Sequence, residues 1–293
     1  MLEECCMQKI LNHGKTFGVV DTLGGELISY KNNDKEYIWS GDPEYWTGHA
    51  PVLFPIVGVL KNDTVTIEGG EYSMARHGFA RKSEFALTKL TDNKAVFELV
   101  YNEDTLKQYP YKFKLIVKHE IDCCGFKTEY KVKNLDDKPI MFGIGGHAGF
   151  AVDSIEDYKL VFDQPETCQL YYTDKSGVMS YSLIHEKSLD NTSEVALRYA
   201  DLDVDVVIAE NLKSRKVKLI HNTNGQGIEF DYTGFDVLGV WTPPGKRSPF
   251  ICLEPWNGMP ASDTDTGVFA DKPYIIKLDV GSEYEVGYSV KLI

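Results

Sequence analysis

Residues 111–133 read YKFKLIVKHEIDCCGFKTEYKVK, and their alternation decides the fold class. Tyr111, Phe113, Leu115, Val117, His119 and Ile121 share one face of an extended strand, while Lys112, Lys114, Lys118, Glu120 and Asp122 point the other way. Cys123-Cys124-Gly125 supplies a turn, after which Phe126, Thr128, Tyr130 and Val132 alternate against Lys127, Glu129, Lys131 and Lys133. A period of two held over both arms predicts a long antiparallel hairpin with one buried and one wet face. His119 falls on the apolar face and reads as a core histidine.

Working outward, the same period recurs at the C-terminus, where Tyr284, Val286, Tyr288, Val290 and Leu292 follow the turn-like Gly281-Ser282. Short strands are expected over Phe17–Val20, Glu26–Tyr30 and Glu36–Trp39, punctuated by Gly24-Gly25 and Asn32-Asn33-Asp34. Ala95–Tyr101, Val204–Ala209, Val217–His221 and Gly227–Asp231 add more. Helical periodicity is confined to Asp104–Gln108 and Ser193–Tyr199, each good for a turn or two. No repeat, Ser/Gly linker or low-complexity block divides the chain. The expectation is an all-β protein, with residues 1–293 forming one large, mostly antiparallel domain of two packed sheets.

Composition narrows the function. A formal charge of −13 over 293 residues, with no long Lys/Arg block, argues against nucleic-acid or anionic-membrane binding. No apolar run approaches the roughly 20 residues that span a bilayer, and Met1–Ile10 carries Glu3 and Glu4 rather than a signal-type core. The six cysteines include the adjacent pairs Cys5-Cys6 and Cys123-Cys124, plus Cys168 and Cys252, and form no CxxC. Free thiols in a reducing, cytoplasmic setting are the plain expectation.

Four segments break the strand pattern with chemistry. Cys252-Leu253-Glu254-Pro255-Trp256-Asn257-Gly258 sets a carboxylate beside an indole, expected where a buried strand gives way to Pro255. A carboxylate in such a partly dry cleft has its pKa raised toward the range of a general base. An indole offers a flat apolar face of the kind that packs on sugar rings. Arg76-His77-Gly78-Phe79-Ala80-Arg81 clusters three nitrogen-bearing side chains, and Gly143–Phe150 (GIGGHAGF) surrounds His147 with glycines that let a ligand or another backbone approach. In Asp201-Leu202-Asp203-Val204-Asp205 every second residue is acidic; a solvated strand face accounts for Asp201 and Asp203. His13, His49, His185 and His221 have no distinguishing context. Metal is not expected, since HExxH, HxH and finger spacings are missing; neither is a nucleotide, without GxGxxG or GxxxxGK[ST]. No GxSxG elbow marks a nucleophile. Paired-carboxylate glycosidase chemistry would need a partner acid for Glu254, with Asp205 a candidate.

Taken in order, these segments resemble the aldose 1-epimerase (galactose mutarotase) family, and within it the LacX-like branch. The pieces are Leu53-Phe54-Pro55-Ile56-Val57-Gly58, the Arg76–Arg81 segment, Gly145-Gly146-His147 with Phe150, Asp205 ahead of Asn211–Val217, and Cys252–Gly258. The resemblance implies a large antiparallel β-supersandwich of the galactose mutarotase type with an open cleft. It implies Glu254 as general base and His147 as general acid. It further implies His77 as a second histidine near the ring oxygen, Asp205 as a partner of sugar hydroxyls, Arg81 at the pocket and Trp256 at its border. Arg76 joins this substrate-binding set through its place in the same segment. Two departures stand out: Val59 occupies a position where relatives often carry a substrate-holding arginine, and Ala148 replaces a common proline.

The implied activity is cofactor-independent interconversion of α and β anomers of an aldose. Glu254, as carboxylate, takes the C1 hydroxyl proton while His147, as imidazolium, protonates the ring oxygen, the two facing each other across a gap one pyranose wide. The partner is then a small sugar, and the protein a monomer or homodimer. A hexose-6-phosphate 1-epimerase needs a cationic site, to which Arg76, Arg81, Lys82, Lys246 and Arg247 are candidates. A non-catalytic sugar-binding protein would use the same cleft without accelerating anomer exchange.

Overall fold

The predicted hairpin is the spine of a nine-stranded antiparallel sheet. Phe113–Asp122 pairs with Gly125–Asn134 in unbroken register, from Phe113 opposite Asn134 to Asp122 opposite Gly125. In this computed structural model, which describes residues 7–184 and 188–293, the sheet runs in a fixed spatial order. The strands are Leu189–Ala196, Tyr158–Cys168, Lys216–His221, Gly227–Asp231, Glu283–Leu292, Gly125–Asn134, Phe113–Asp122, Lys94–Val100 and Ala86–Leu90. Glu3, Glu4, Cys5, Cys6 and His185 lie outside the described residues.

A second sheet, of eight strands, carries Glu254. Its order is Met179–Ile184, Leu170–Thr173, Val207–Glu210, Val237–Trp241, Phe250–Asn257, Ile144–Gly146 and Val52–Leu53, with Ala148–Ala151 also paired to Phe250–Asn257. The alternation on the two sheets shows where the core sits. Phe113, Leu115, Val117 and Ile121 from the hairpin share one apolar cluster with Ile251, Leu253, Leu238, Val240, Val207 and Ala209. The other parity of the eight-stranded sheet, Phe250, Cys252, Glu254 and Trp256, looks away from that cluster.

The outer face of the nine-stranded sheet is laced by ion pairs such as Lys114–Glu98 at 2.8 Å and Lys131–Glu283 at 3.0 Å. All four side chains are a quarter to two-fifths exposed, so each pair contributes about 0–1 kcal/mol. His119 is buried as expected, its Nε2 2.7 Å from the Gly25 carbonyl and Nδ1 3.0 Å from Thr128 Oγ1. Burial lowers its pKa to about 4, so it is a neutral core residue. No helix among the described residues is long and apolar enough to cross a membrane. Cys123, Cys124, Cys168 and Cys252 are free thiols.

Three expectations need correction. Glu103–Gln108 is helical, capped by Asn102 Oδ1 accepting from Asp104 and Thr105 N–H at 2.9 Å each, but Ser193–Tyr199 is not. Residues up to Ala196 continue the edge strand Leu189–Ala196, because pairing with Tyr158–Cys168 overrides weak local preference. Asp201–Asp205 is no strand face: Tyr199–Leu202 forms a 3-10 turn, Asp203 accepts from the Gly245 N–H at 2.6 Å, and the strand starts only at Val207. Finally, the strand bearing Glu254 does not end at Pro255 but runs from Phe250 to Asn257, all eight residues buried.

Candidate active site

Glu254 and His147 meet because of strand register. Ile144 pairs with Asn257 and Gly145 with Trp256, and beyond a break Ala148 pairs with Leu253. The same register carried across the break sets His147 opposite Glu254. Pro255 can donate no ladder hydrogen bond, and the pairing lapses at Gly146 and His147, which face Pro255 and Glu254. His147 still anchors its backbone N–H on the Pro51 carbonyl at 3.1 Å. His147 Nε2 lies 3.2 Å from Glu254 Oε1, both side chains almost fully buried. The two groups therefore touch, and the expectation of a pyranose-wide gap between them is wrong.

Burial sets the protonation of this pair. It holds the Glu254 carboxyl well above the usual carboxylate range, helped by the nearby charge of Asp205. It pushes His147 down to about 3. Burial thus favours a carboxylic acid beside a neutral imidazole, rather than the expected carboxylate and imidazolium. The proton count is identical, one proton for the two groups, and the two arrangements differ only in which of the facing atoms, 3.2 Å apart, carries it.

His77 completes the nitrogen set through an unusual backbone. Its φ of +67° is left-handed, a conformation costly for a residue with a Cβ. Three hydrogen bonds enforce it: His77 N–H donates to the Gly58 carbonyl at 2.7 Å, the His77 carbonyl accepts from Phe54 at 3.2 Å, and Nδ1 accepts from Gly58 N–H at 3.1 Å. Burial, followed by its neighbour His147, keeps its pKa well below the ordinary value. A neutral ring whose Nδ1 accepts must carry its proton on Nε2, so His77 is a fixed N–H donor. Gly78 follows at φ +72°, where a Cβ would strike the Phe54 carbonyl.

The seven residues singled out from the sequence all line one cavity of about 130 Å³: Glu254, His147, His77, Arg76, Arg81, Asp205 and Trp256. Asp205 Oδ2 accepts from Arg76 at 2.9 Å and from Thr173 Oγ1 at 3.1 Å. Arg81 pairs with no carboxylate among the described residues, and its Nε is buried without a partner. His147 Nδ1 is likewise buried without a hydrogen bond, while the Trp256 indole N–H faces the Glu254 carboxyl and opposes its upward shift. The Trp256 ring lies across Gly239, where a Cβ would come within 2.8 Å of two indole carbons. Val59 is buried outside the cavity lining. A methyl group built on Gly177 would nevertheless touch Val59 Cγ1 and collide with the Arg76 guanidinium, so Arg76 reaches the neighbourhood that Val59 leaves uncharged.

Lys246 donates instead to the Glu44 carbonyl at 2.6 Å, Arg247 pairs with Glu156 at 3.1 Å, and neither they nor Lys82 line the cavity. Sequence reasoning missed Trp46, Trp241 and Thr173. Trp46 stacks on His147 at 4.7 Å between ring centroids, and Trp241 meets His147 edge-on at 5.3 Å. Aromatic residues outside a Gly/His motif look like core in one dimension, so only the fold reveals them. Among the described residues, Asp122, Cys123 and Cys124 alone group ligand atoms closely enough for a metal ion; they are exposed and lie outside the cavity.

Comparison with known proteins gives the family. The plasmid and chromosomal LacX proteins of Lactococcus lactis subsp. lactis are each 35% identical over 272 residues, spanning 88% of this chain and 90% of theirs. A galactose mutarotase related enzyme from Lactobacillus acidophilus shares the fold with a TM-score of 0.90 and 31% identity, covering 98% of this chain and 97% of its own. A galactose mutarotase-like protein from Lactobacillus casei gives 0.87 and 27%, over 98% and 100%. The sequence profile of the aldose 1-epimerase family matches residues 10–267, and with the antiparallel β fold and the relatives' coverage this places the chain in the aldose 1-epimerase family.

Proposed function

We propose that the protein interconverts the α and β anomers of an aldose by general acid/base ring opening at Glu254 and His147. The observation that carries this reading is the buried, single-proton pair at 3.2 Å, forming the floor of a cavity lined by His77, Asp205 and two arginines. A sugar over the pair presents its C1 hydroxyl to Glu254 and its ring oxygen to His147. In the carboxylate–imidazolium arrangement, Glu254 removes the hydroxyl proton as His147 supplies one to the ring oxygen, and the C1–O5 bond breaks. The pair is then acid and neutral imidazole, the state that burial already favours. Rotation about C1–C2 and the reverse transfers close the ring from the other face. The His77 Nε2–H donates to the ring oxygen region, and Asp205 Oδ1 accepts from a sugar hydroxyl. General acid and base assistance typically contributes about 10²–10⁴ in rate.

One observation favours an anionic sugar, such as a hexose 6-phosphate, as a second reading of substrate. Arg76 and Arg81 face Asp205 alone once Glu254 is neutral, leaving one net positive charge in the cavity of a protein whose formal charge is −13. Saturation-transfer NMR of anomer exchange tests both readings. Acceleration of free aldoses supports the first, a clear preference for the 6-phosphates supports the second, and binding without acceleration refutes the enzymatic proposal.

A further inference from the structure

His147 sits in an aromatic box. Trp46 lies over its ring at 4.7 Å with planes 27° apart, Trp241 meets it at 5.3 Å and 75°, and the neutral His77 ring stands at 5.6 Å and 89°. The loop carrying Trp46 is built to hold this contact. Trp39 Nε1–H donates to the Trp46 carbonyl at 2.8 Å, and Lys246 Nζ donates to the Glu44 carbonyl. Gly149, two residues after His147, makes the room: a Cβ there would come within 3.3 Å of the Trp46 ring and within 3.1 Å of the His49 carbonyl.

The chemistry needs such a neighbour. A pair sharing one proton passes through a state in which His147 is an imidazolium, whichever step begins the cycle. The groups facing that charge are unequal to it. Glu254 attracts it until it takes up the C1 hydroxyl proton, while Arg76 and Arg81 both oppose it. An indole face within about 6 Å attracts a cation by roughly 0.5–2 kcal/mol, more when water is excluded.

We propose that Trp46 is a positioning residue that stabilises the imidazolium form of His147 during turnover. This rests on the acid/base reading above. It assigns the Trp46 face to the catalytic proton and not to the sugar ring.

The test compares Trp46→Leu, which keeps apolar bulk without a π face, with Trp46→Phe, which keeps a smaller one. Anomer exchange is measured at saturating and limiting sugar. In Trp46→Leu, kcat falls roughly 2- to 30-fold, the range given by that cation–π energy, with KM little changed. Trp46→Phe recovers most of the loss. Equal kcat in the two variants, or an effect confined to KM, overturns the inference; the latter makes Trp46 a sugar platform. An inactive wild-type protein overturns instead the reading on which the inference rests. Thermal melts confirm folding, and Trp46→Met replaces Trp46→Leu if the latter does not fold.

Discussion

Replacing His147 by asparagine should change how stability depends on pH, by an amount that follows from its burial. The folded-state pKa of about 3 lies below the ordinary 6.5 of an exposed imidazole. Between these values the unfolded chain binds a proton that the folded chain refuses, so stability is full above pH 6.5 and drains away as pH falls toward 3. At pH 5.0 the group is 1.5 units below its unfolded value, which at 1.36 kcal/mol per unit costs the wild type about 2 kcal/mol relative to pH 7.5. His147→Asn has no such proton to gain. The asparagine also alters the contact with Glu254, which adds an offset to the difference between the two proteins, while the burial that raises the Glu254 carboxyl acts alike on both.

Urea unfolding at pH 7.5 and pH 5.0 provides the assay, with matched m-values showing that the unfolding transition is comparable. The stability of wild type minus that of the variant should fall by about 2 kcal/mol on going to pH 5.0. If that difference is the same at both values, His147 titrates normally in the folded protein, and the buried neutral pair is wrong.

The same pair predicts that kcat/KM is flat through pH 6.5, where an ordinary histidine would titrate, and falls only on the alkaline side as Glu254 loses the shared proton; an inflection near 6.5 would count against it. Gly239→Ala should destabilise by about 1–3 kcal/mol by overpacking against Trp256 and lower activity by displacing Glu254, read by thermal melts and exchange rates. His77→Ala should raise KM and lower kcat together, since it removes a fixed donor but not the shared proton; a change in neither would exclude it from the site.

Much of this protein was legible in one dimension, for reasons visible in particular residues. The Phe113–Asn134 hairpin was readable because one face is apolar and the other alternates Lys with Glu, a pattern no helix can satisfy. The Arg76–Arg81, Gly145–His147 and Glu254–Trp256 segments were readable because glycine and histidine interrupt strands for a reason. What stayed hidden was register: nothing local says that His147 lies opposite Glu254, and so their direct contact was expected to be a gap. Trp46 and Trp241 look like any core aromatics until the fold brings them to His147. Asp201–Asp205 misled because a period of two can arise by chance outside any strand, here in a 3-10 turn and the loop that follows it.

Rates of anomer exchange for wild type and Glu254→Gln, measured on the best sugar alongside sugar affinity, bear most directly on the whole picture. A carboxamide fills the same space but can neither accept the C1 hydroxyl proton nor pass one to His147. Exchange should drop by about 10²–10⁴ while affinity is retained. Undiminished exchange in that variant would contradict the assignment of the buried Glu254–His147 pair as the reacting groups.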